Sequence, residues 1–367
     1  MNPRDVVIVS ACRTPIGKNM GQFKDVRARQ LAITAGAEAI KRADIDPKLI
    51  DGIVMGECFT AMEGSLAARQ VSMRLGFSER SNACVVNQNC ASGMRALDIQ
   101  ANNILLGKED IGMVIGVESM TNAPYVLEKA RMGYRMGDSK IFDNMLHDGL
   151  IDELSGGHMG LTAENVAEKY GITREECDKI AVRSHNLACK AIDEGIFKDE
   201  IVPVVIKTKK GEKVITDDEH PIRGCTMETL AKLKPAFKKD GVITAANASG
   251  INDAAAAVIL MSWEKCQELG KKPMAKLVTC VAEGVAPEVM GLGPAVAMPK
   301  ALKAAGLKWE DIDYFEVNEA FSAQVLGVER MLKEDYGYVV DWDKTNRSEE
   351  HTSELQSPQN RGLRGVR

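Results

Sequence analysis

Short, wholly apolar runs alternate with longer stretches of helical spacing through the first 120 residues. Val6–Ser10 reads as a buried strand, Ala28–Ala43 as a helix, Ile50–Gly56 as a strand and Leu66–Leu75 as a second helix. Ala83–Val86 is a further strand-type run. After polar Asn87, Gln88 and Asn89, an amphipathic stretch runs from Ala91 to Leu106, with Met94, Leu97, Ile104 and Leu105 near helical spacing. Ile111–Glu118, IGMVIGVE, is apolar until its last residue. Strands that lack polar alternation and are separated by helices predict a mainly parallel sheet covered on both faces, an α/β fold.

The pattern breaks after Ser119. Residues 121–241 form a long excursion rich in charge and methionine, with helices expected at Thr162–Lys169 and Glu175–Glu194. Insertions of that length are usually functional. The sheet resumes at Ala254–Met261, and Gly270 to Pro273 reads as a hinge. A second half then echoes the first: a strand at Leu277–Ala282, a loop holding Gly291 and Gly293, a helix at Lys300–Ala305, a strand at Tyr314–Val317, and Asn318–Phe321 leading into a helix that ends near Leu332. The expected division is 1–120 with 242–269 as an N-terminal half, 121–241 as an inserted loop domain and 270–346 as the start of a C-terminal half. Residues 347–367 lack aromatics and apolar periodicity. Their opening, RSEEHTSELQS, matches the one-frame translation of a common sequencing-adapter string, so we expect a non-native tail there.

Composition narrows the function classes. A 45% hydrophobic content is ample for a large core, and a net charge of −5 favours neither nucleic acid nor an anionic membrane. Nine cysteines without C-x-x-C pairs argue against zinc and a disulfide framework, and for a reducing compartment. No apolar run approaches the roughly 18 residues of a membrane span. A cytoplasmic protein is expected.

Cys90 stands where a strand hands over to a helix N-terminus. There, unpaired backbone N–H groups and the helix dipole favour a thiolate, and small Ala91, Ser92 and Gly93 let a bulky group approach. The alternative is a packed small hydrophobe. His158 lies in a glycine-rich stretch (Gly156, Gly157, Gly160) where backbone and ligand can come close, or is an ordinary surface histidine. Asn247–Asp253 is a polar loop before an apolar strand, able to meet a ligand or simply to turn. Asn318, at a strand-to-helix corner, offers an amide for an oxyanion or a helix cap. Arg13–Gly17 reads as a structural turn.

The order of these stretches says more than any one of them. RTPIG, CASGMRAL, GVESM, HMGLTAENVAEKYGITRE, KLKPAF, NASGIND, MGLGPA and VNEAFSAQ occur in the sequence order of the thiolase family. The chain resembles that family from Val6 to about Lys333, above all its biosynthetic acetyl-CoA acetyltransferases. Ala254, where the family usually has glycine, is a minor departure. The resemblance implies a layered α-β-α-β-α fold of two similar halves. It implies an acyl thioester on Cys90 and ping-pong condensation of two acetyl-CoA to acetoacetyl-CoA plus CoA, or the reverse. Coenzyme A thioesters would be substrates, with no further cofactor. Asn318 would order an oxyanion-hole water. Leu150, His158, Met159, Arg223, Ala245, Ser249, Ala320 and Phe321 would line the CoA tunnel, and a homo-oligomer, dimer or tetramer, is implied. The family's GHPxG and CxGG motifs are missing, and the only histidine after Asn318 is His351. From that we expect a C-terminally truncated chain with an incomplete second half, inactive as written. The alternatives are a longer-chain 3-ketoacyl-CoA thiolase and a non-catalytic CoA-binding fragment.

Overall fold

In the computed structural model, residues 1–209 and 211–345 are described, and the expected tail at 347–367 lies outside them. The first elements fall close to the expected places: β1 Val6–Arg13, α1 Ala28–Ala43, β2 Gly52–Gly56, α2 Ala67–Arg74, β3 Asn82–Val86, α3 Ser92–Leu105 and β4 Ile111–Ser119. Later come α4 Met159–Tyr170, α5 Arg174–Glu194, β5 Asn252–Ser262, β6 Ala275–Lys276, α6 Gly293–Ala305 and α7 Ser322–Tyr336.

The main sheet has the strand order β6-β1-β5-β4-β2-β3. It is mixed rather than mainly parallel. β2 runs parallel to β3 and β4, but β5 is antiparallel to both β1 and β4. An all-apolar strand signals burial on both faces and is silent about direction. Alternate residues of each strand enter separate cores. Ile53, Met55, Met113 and Ile115 pack with α1 and α2, while Val54, Val114, Val258 and Leu260 pack with Ala96, Leu97 and Ile104 of α3.

The long excursion is fixed to this sheet by charge. The buried Arg13 guanidinium donates to both oxygens of Asp218 at 2.8 and 2.9 Å and to Glu200 at 2.6 Å, and it lies over the Phe197 ring. Asp218 also accepts the Ile16 amide at 2.8 Å. The RTPIG stretch is therefore more than a turn: it is the anchor of a buried ion-pair network. Within the excursion, α5 starts in a Thr173–Glu176 capping box and ends at Gly195, whose positive φ closes the last turn.

The second half departs from its expected strands. Leu277–Ala282 forms no ladder, and Tyr314–Val317 contributes only an isolated bridge between Phe315 and Thr345. What this half does supply is helical. α7 buries Ala323 and Leu326 against Ala163, Val166 and Ala167 of α4.

Candidate active site at the Cys90 corner

β3 ends at Val86 and α3 begins at Ser92, leaving a tight corner between them. Asn89 bends it with φ +47°, a left-handed conformation that asparagine tolerates better than most residues. Ser92 braces the bend from inside: its Oγ accepts the Gln88 amide at 2.9 Å and donates to the Asn89 carbonyl at 2.6 Å. The N-cap residue is Ala91, which has no side-chain acceptor, so α3 has no side-chain cap, and its first turn holds no acidic residue. Its positive end is left open beside the half-buried Cys90.

A cavity of about 700 Å³ opens at this corner. Gln88, Asn89, Cys90 and Ala91 form its floor, while Leu150, Met159, Phe237, Met290 and Phe321 make apolar walls. His158 and Ser249 supply polar groups. His158 caps α4: its Nδ1 accepts the Gly160 amide at 3.0 Å, which assigns the ring proton to Nε2. The ring stacks on Phe237 at 4.7 Å, and burial holds its pKa below the usual histidine range, so it is neutral at pH 7. Gly160 makes that stack possible, since a Cβ there would lie 2.3 Å from the Phe237 ring.

The far wall joins the two halves. The Ser249 amide donates to Ala320 O at 2.8 Å, the Ser322 amide donates to Asn247 O at 2.9 Å, and Ala248 bridges to Phe321. The NASG and NEAF stretches are thus one short antiparallel pairing.

Of the expected residues, Cys90, Leu150, His158, Met159, Ser249 and Phe321 meet at this cavity, and Ala320 stands directly behind it. Three do not. Arg223 is exposed and paired with Asp193 at 2.9 Å; Ala245 is exposed on its loop; Asn318 is exposed, at the end of the unladdered Tyr314–Val317 segment. The sulfur also differs from expectation. Burial pushes the Cys90 pKa up, Glu118 adds to the effect, and only its own backbone amide acts the other way. At this corner desolvation outweighs the pull of that amide. Phe237, Gln88 and Met290 were not singled out. The KLKPAF motif was the available signal for Phe237. Among the described residues, no group of three or more His, Cys, Asp or Glu is placed to hold a metal ion.

A family profile described as "Thiolase, N-terminal domain" matches residues 6–264, and "Thiolase, C-terminal domain" matches residues 271–348. A curated relative from Syntrophomonas wolfei subsp. wolfei, named acetyl-CoA acetyltransferase, is 51% identical over 345 residues, covering 94% of this chain and 86% of its own length. The solved acetyl-CoA acetyltransferase from Syntrophomonas wolfei superposes with a TM-score of 0.93 at 62% identity, over 95% of this chain and 87% of that one. Human mitochondrial 3-ketoacyl-CoA thiolase superposes with a TM-score of 0.88 at 38% identity, over 94% of this chain and 86% of that one. A C-terminal family domain is matched at residues 271–348, and the expected truncation and incomplete second half find no support there. The expectation of an inactive chain likewise finds no support in these relatives.

Proposed function

We infer the reaction from one premise: this chain belongs to the thiolase family. It is an acyltransferase that condenses two acetyl-CoA to acetoacetyl-CoA plus CoA, and runs the reverse thiolysis. The observation that carries the reading is a cysteine at the mouth of an uncapped helix, on the floor of a largely apolar cavity of about 700 Å³.

Cys90 attacks the thioester carbonyl of the first acetyl-CoA; its proton leaves with the departing CoA thiolate, and an acetyl group remains on the sulfur. The Cys90 amide, which already faces its own sulfur, is placed to donate to the thioester oxygen, with the open end of α3 behind it. A second acetyl-CoA gives up an α proton, its α carbon attacks that thioester and forms the new carbon–carbon bond, and Cys90 leaves as a thiolate that takes up the proton, so none is gained or lost overall. The raised thiol pKa leaves the resting sulfur protonated, so its proton must be passed on as the bond to the carbonyl forms. Leu150, Met159, Phe237 and Phe321 take the apolar stem of pantetheine, while neutral His158, through Nε2–H, and Ser249 hydrogen-bond its polar groups. No contact with the thioester is assigned to Asn318.

Coenzyme A thioesters are the only small-molecule partners in this reading. The working protein is a homo-oligomer in the cytoplasm. Nine free thiols and a described chain without a membrane-length helix support that setting.

The test is mass spectrometry after mixing with acetyl-CoA. An acetyl increment on the Cys90 peptide, lost in Cys90→Ser, is the expected result. CoA retained without a covalent adduct would replace the enzyme reading by a binding one, and a series of acyl chain lengths decides between acetyl and longer 3-ketoacyl substrates.

A further inference from the structure

Glu118, near the end of β4, is 1% exposed, yet it is not buried among partners of opposite charge. Its carboxylate accepts two backbone amides, those of Cys58 and Phe59, both at 2.9 Å. From Cys58 the contacts continue into the Cys90 corner. Its Sγ donates to the Asn89 carbonyl at 3.1 Å and lies 3.5 Å from Ser92 Oγ, while Asn87 Nδ2 donates to the Cys58 carbonyl at 3.3 Å. Asn87, Asn89 and Ser92 are therefore each two contacts from this carboxylate. Phe59 makes a second branch. Its ring occupies the space where a Cβ on Gly149 would stand, 2.3 Å from Cζ, and it clusters with Leu150 on the cavity wall.

We propose that Glu118 is a positioning residue for Cys90, holding the Cys58–Phe59 segment so that this segment in turn fixes the corner and the cavity wall. The proposal rests on the reading of Cys90 as the acyl carrier and adds a role that reading does not contain. The charge works with the geometry. A buried carboxylate near the sulfur opposes a thiolate but not a neutral thioester, so it favours the acetylated state over the bare anion. The other groups facing it leave that role to Glu118. Glu57, fully buried with neither oxygen hydrogen-bonded, is pushed up to about 9 by burial and then by Glu118, and is neutral at pH 7. Asp253, on the facing strand β5, is pushed up to about 6 by burial and gives one oxygen to the Thr121 amide. Glu63 and Arg29 are neighbours of Glu57 and of each other, Arg29 donating to the Glu63 backbone carbonyl at 2.7 Å. Glu118 itself is pushed up to about 7 by burial against the pull of its two amides.

Glu118→Gln keeps the shape, loses the charge and turns one acceptor into a donor facing an amide. Two readouts on the full chain test it. Iodoacetamide alkylation of Cys90, followed peptide by peptide across pH, is expected to have its midpoint lowered by about one pH unit. Acetyl transfer from acetyl-CoA to Cys90 is expected to slow at least about tenfold at saturation, with the half-saturating concentration within about threefold, because the lost placement of the sulfur outweighs its easier ionisation. An unchanged midpoint or an unchanged rate overturns the proposal. If that variant does not fold, Cys58→Ala keeps the two amide bonds to Glu118, removes the thiol's own contact with that carboxylate and cuts the contacts to Asn89 and Ser92. It should slow acetylation, and wild-type acetylation in it overturns the relay. Wild-type protein that alkylates but takes no acetyl group would sink the parent reading alone, since the alkylation profile still decides the role of Glu118.

Discussion

Gly56 is the last residue of β2, and a methyl group added there would lie 2.4 Å from the carbonyl carbon of Ser92 and 2.5 Å from the amide nitrogen of Gly93. Both are backbone atoms of the first turn of α3. Ordinary contact begins at 3.4 Å, so Gly56→Ala must separate strand and helix by 3.4 − 2.4 = 1.0 Å. No rotamer can absorb that. Overpacking of this kind costs about 1–3 kcal/mol of stability, and a displacement of about 1 Å at a reacting group costs on the order of 100-fold in rate. Both effects are expected together, in urea unfolding and in single-turnover acetylation of Cys90. Gly36→Ala is the internal comparison. Its Cβ would meet the Leu75 Cδ1 tip at 2.7 Å and Ile115 Cδ1 at 3.3 Å, which are side-chain ends that can move, so stability should fall while acetylation stays within about threefold of wild type. If Gly56→Ala transferred acetyl at the wild-type rate, the corner would not need its present fit against β2, and the argument from geometry to rate would be wrong.

Arg13→Met strands the buried Asp218 carboxylate and should cost about 3–5 kcal/mol in urea unfolding. Asp193→Ala, which frees the exposed Arg223, should leave both stability and the half-saturating acetyl-CoA concentration unchanged. A rise in that concentration would return Arg223 to the binding site. Glu57→Gln separates two pH regimes. The folded state keeps this carboxyl protonated up to about 9 whereas the unfolded chain releases the proton near 4.5, so wild-type stability falls as pH rises between those values. The substitution should raise the urea midpoint at pH 8 and change it little at pH 4, and equal midpoints at pH 8 would show Glu57 to be solvated. His220, pushed down to about 4 by burial, has the opposite sign: stability is lost as pH falls from the unfolded value near 6.5 toward 4. His220→Gln should flatten that acid slope in unfolding curves. Phe237→Ala removes the ring that His158 stacks on and part of the cavity wall, and should raise the half-saturating acetyl-CoA concentration about tenfold in acetylation assays.

The local elements were legible where one residue type repeats at one period. α1 runs from Ala28 to Ala43 as its alanine and leucine spacing implies, and Cys90 falls at the predicted hand-over because an apolar run meets a helical one there. Direction was not legible. β5 is apolar from Ala254 to Met261, and nothing in such a run says that it will insert antiparallel between β1 and β4. Leu277–Ala282 and Tyr314–Val317 have strand composition, but a ladder needs a partner, and composition does not name one. Among site residues, those near the Cys90 motif or on the glycine-rich stretches could be placed from motifs alone. Glu118 lies in the GVESM stretch, but as the tail of a strand it carries no sign of what it holds. Its partners lie across the sheet at Cys58 and Phe59, contacts that only the folded topology creates.

The wall built from Asn247–Ser249 and Ala320–Ser322 has a consequence for the order of events in folding. The sulfur and its corner belong to the early part of the chain, but the surface that encloses them is closed by hydrogen bonds to a segment translated much later. Such distant pairing has to overcome the entropy of a long loop before it yields any contact, so it forms late. A nascent or refolding chain therefore carries its most reactive atom on an open ledge before the second substrate wall arrives. Protection of that thiol from a bulky maleimide would then serve as a clock for docking of the two halves, running behind the far-ultraviolet circular dichroism of the early core.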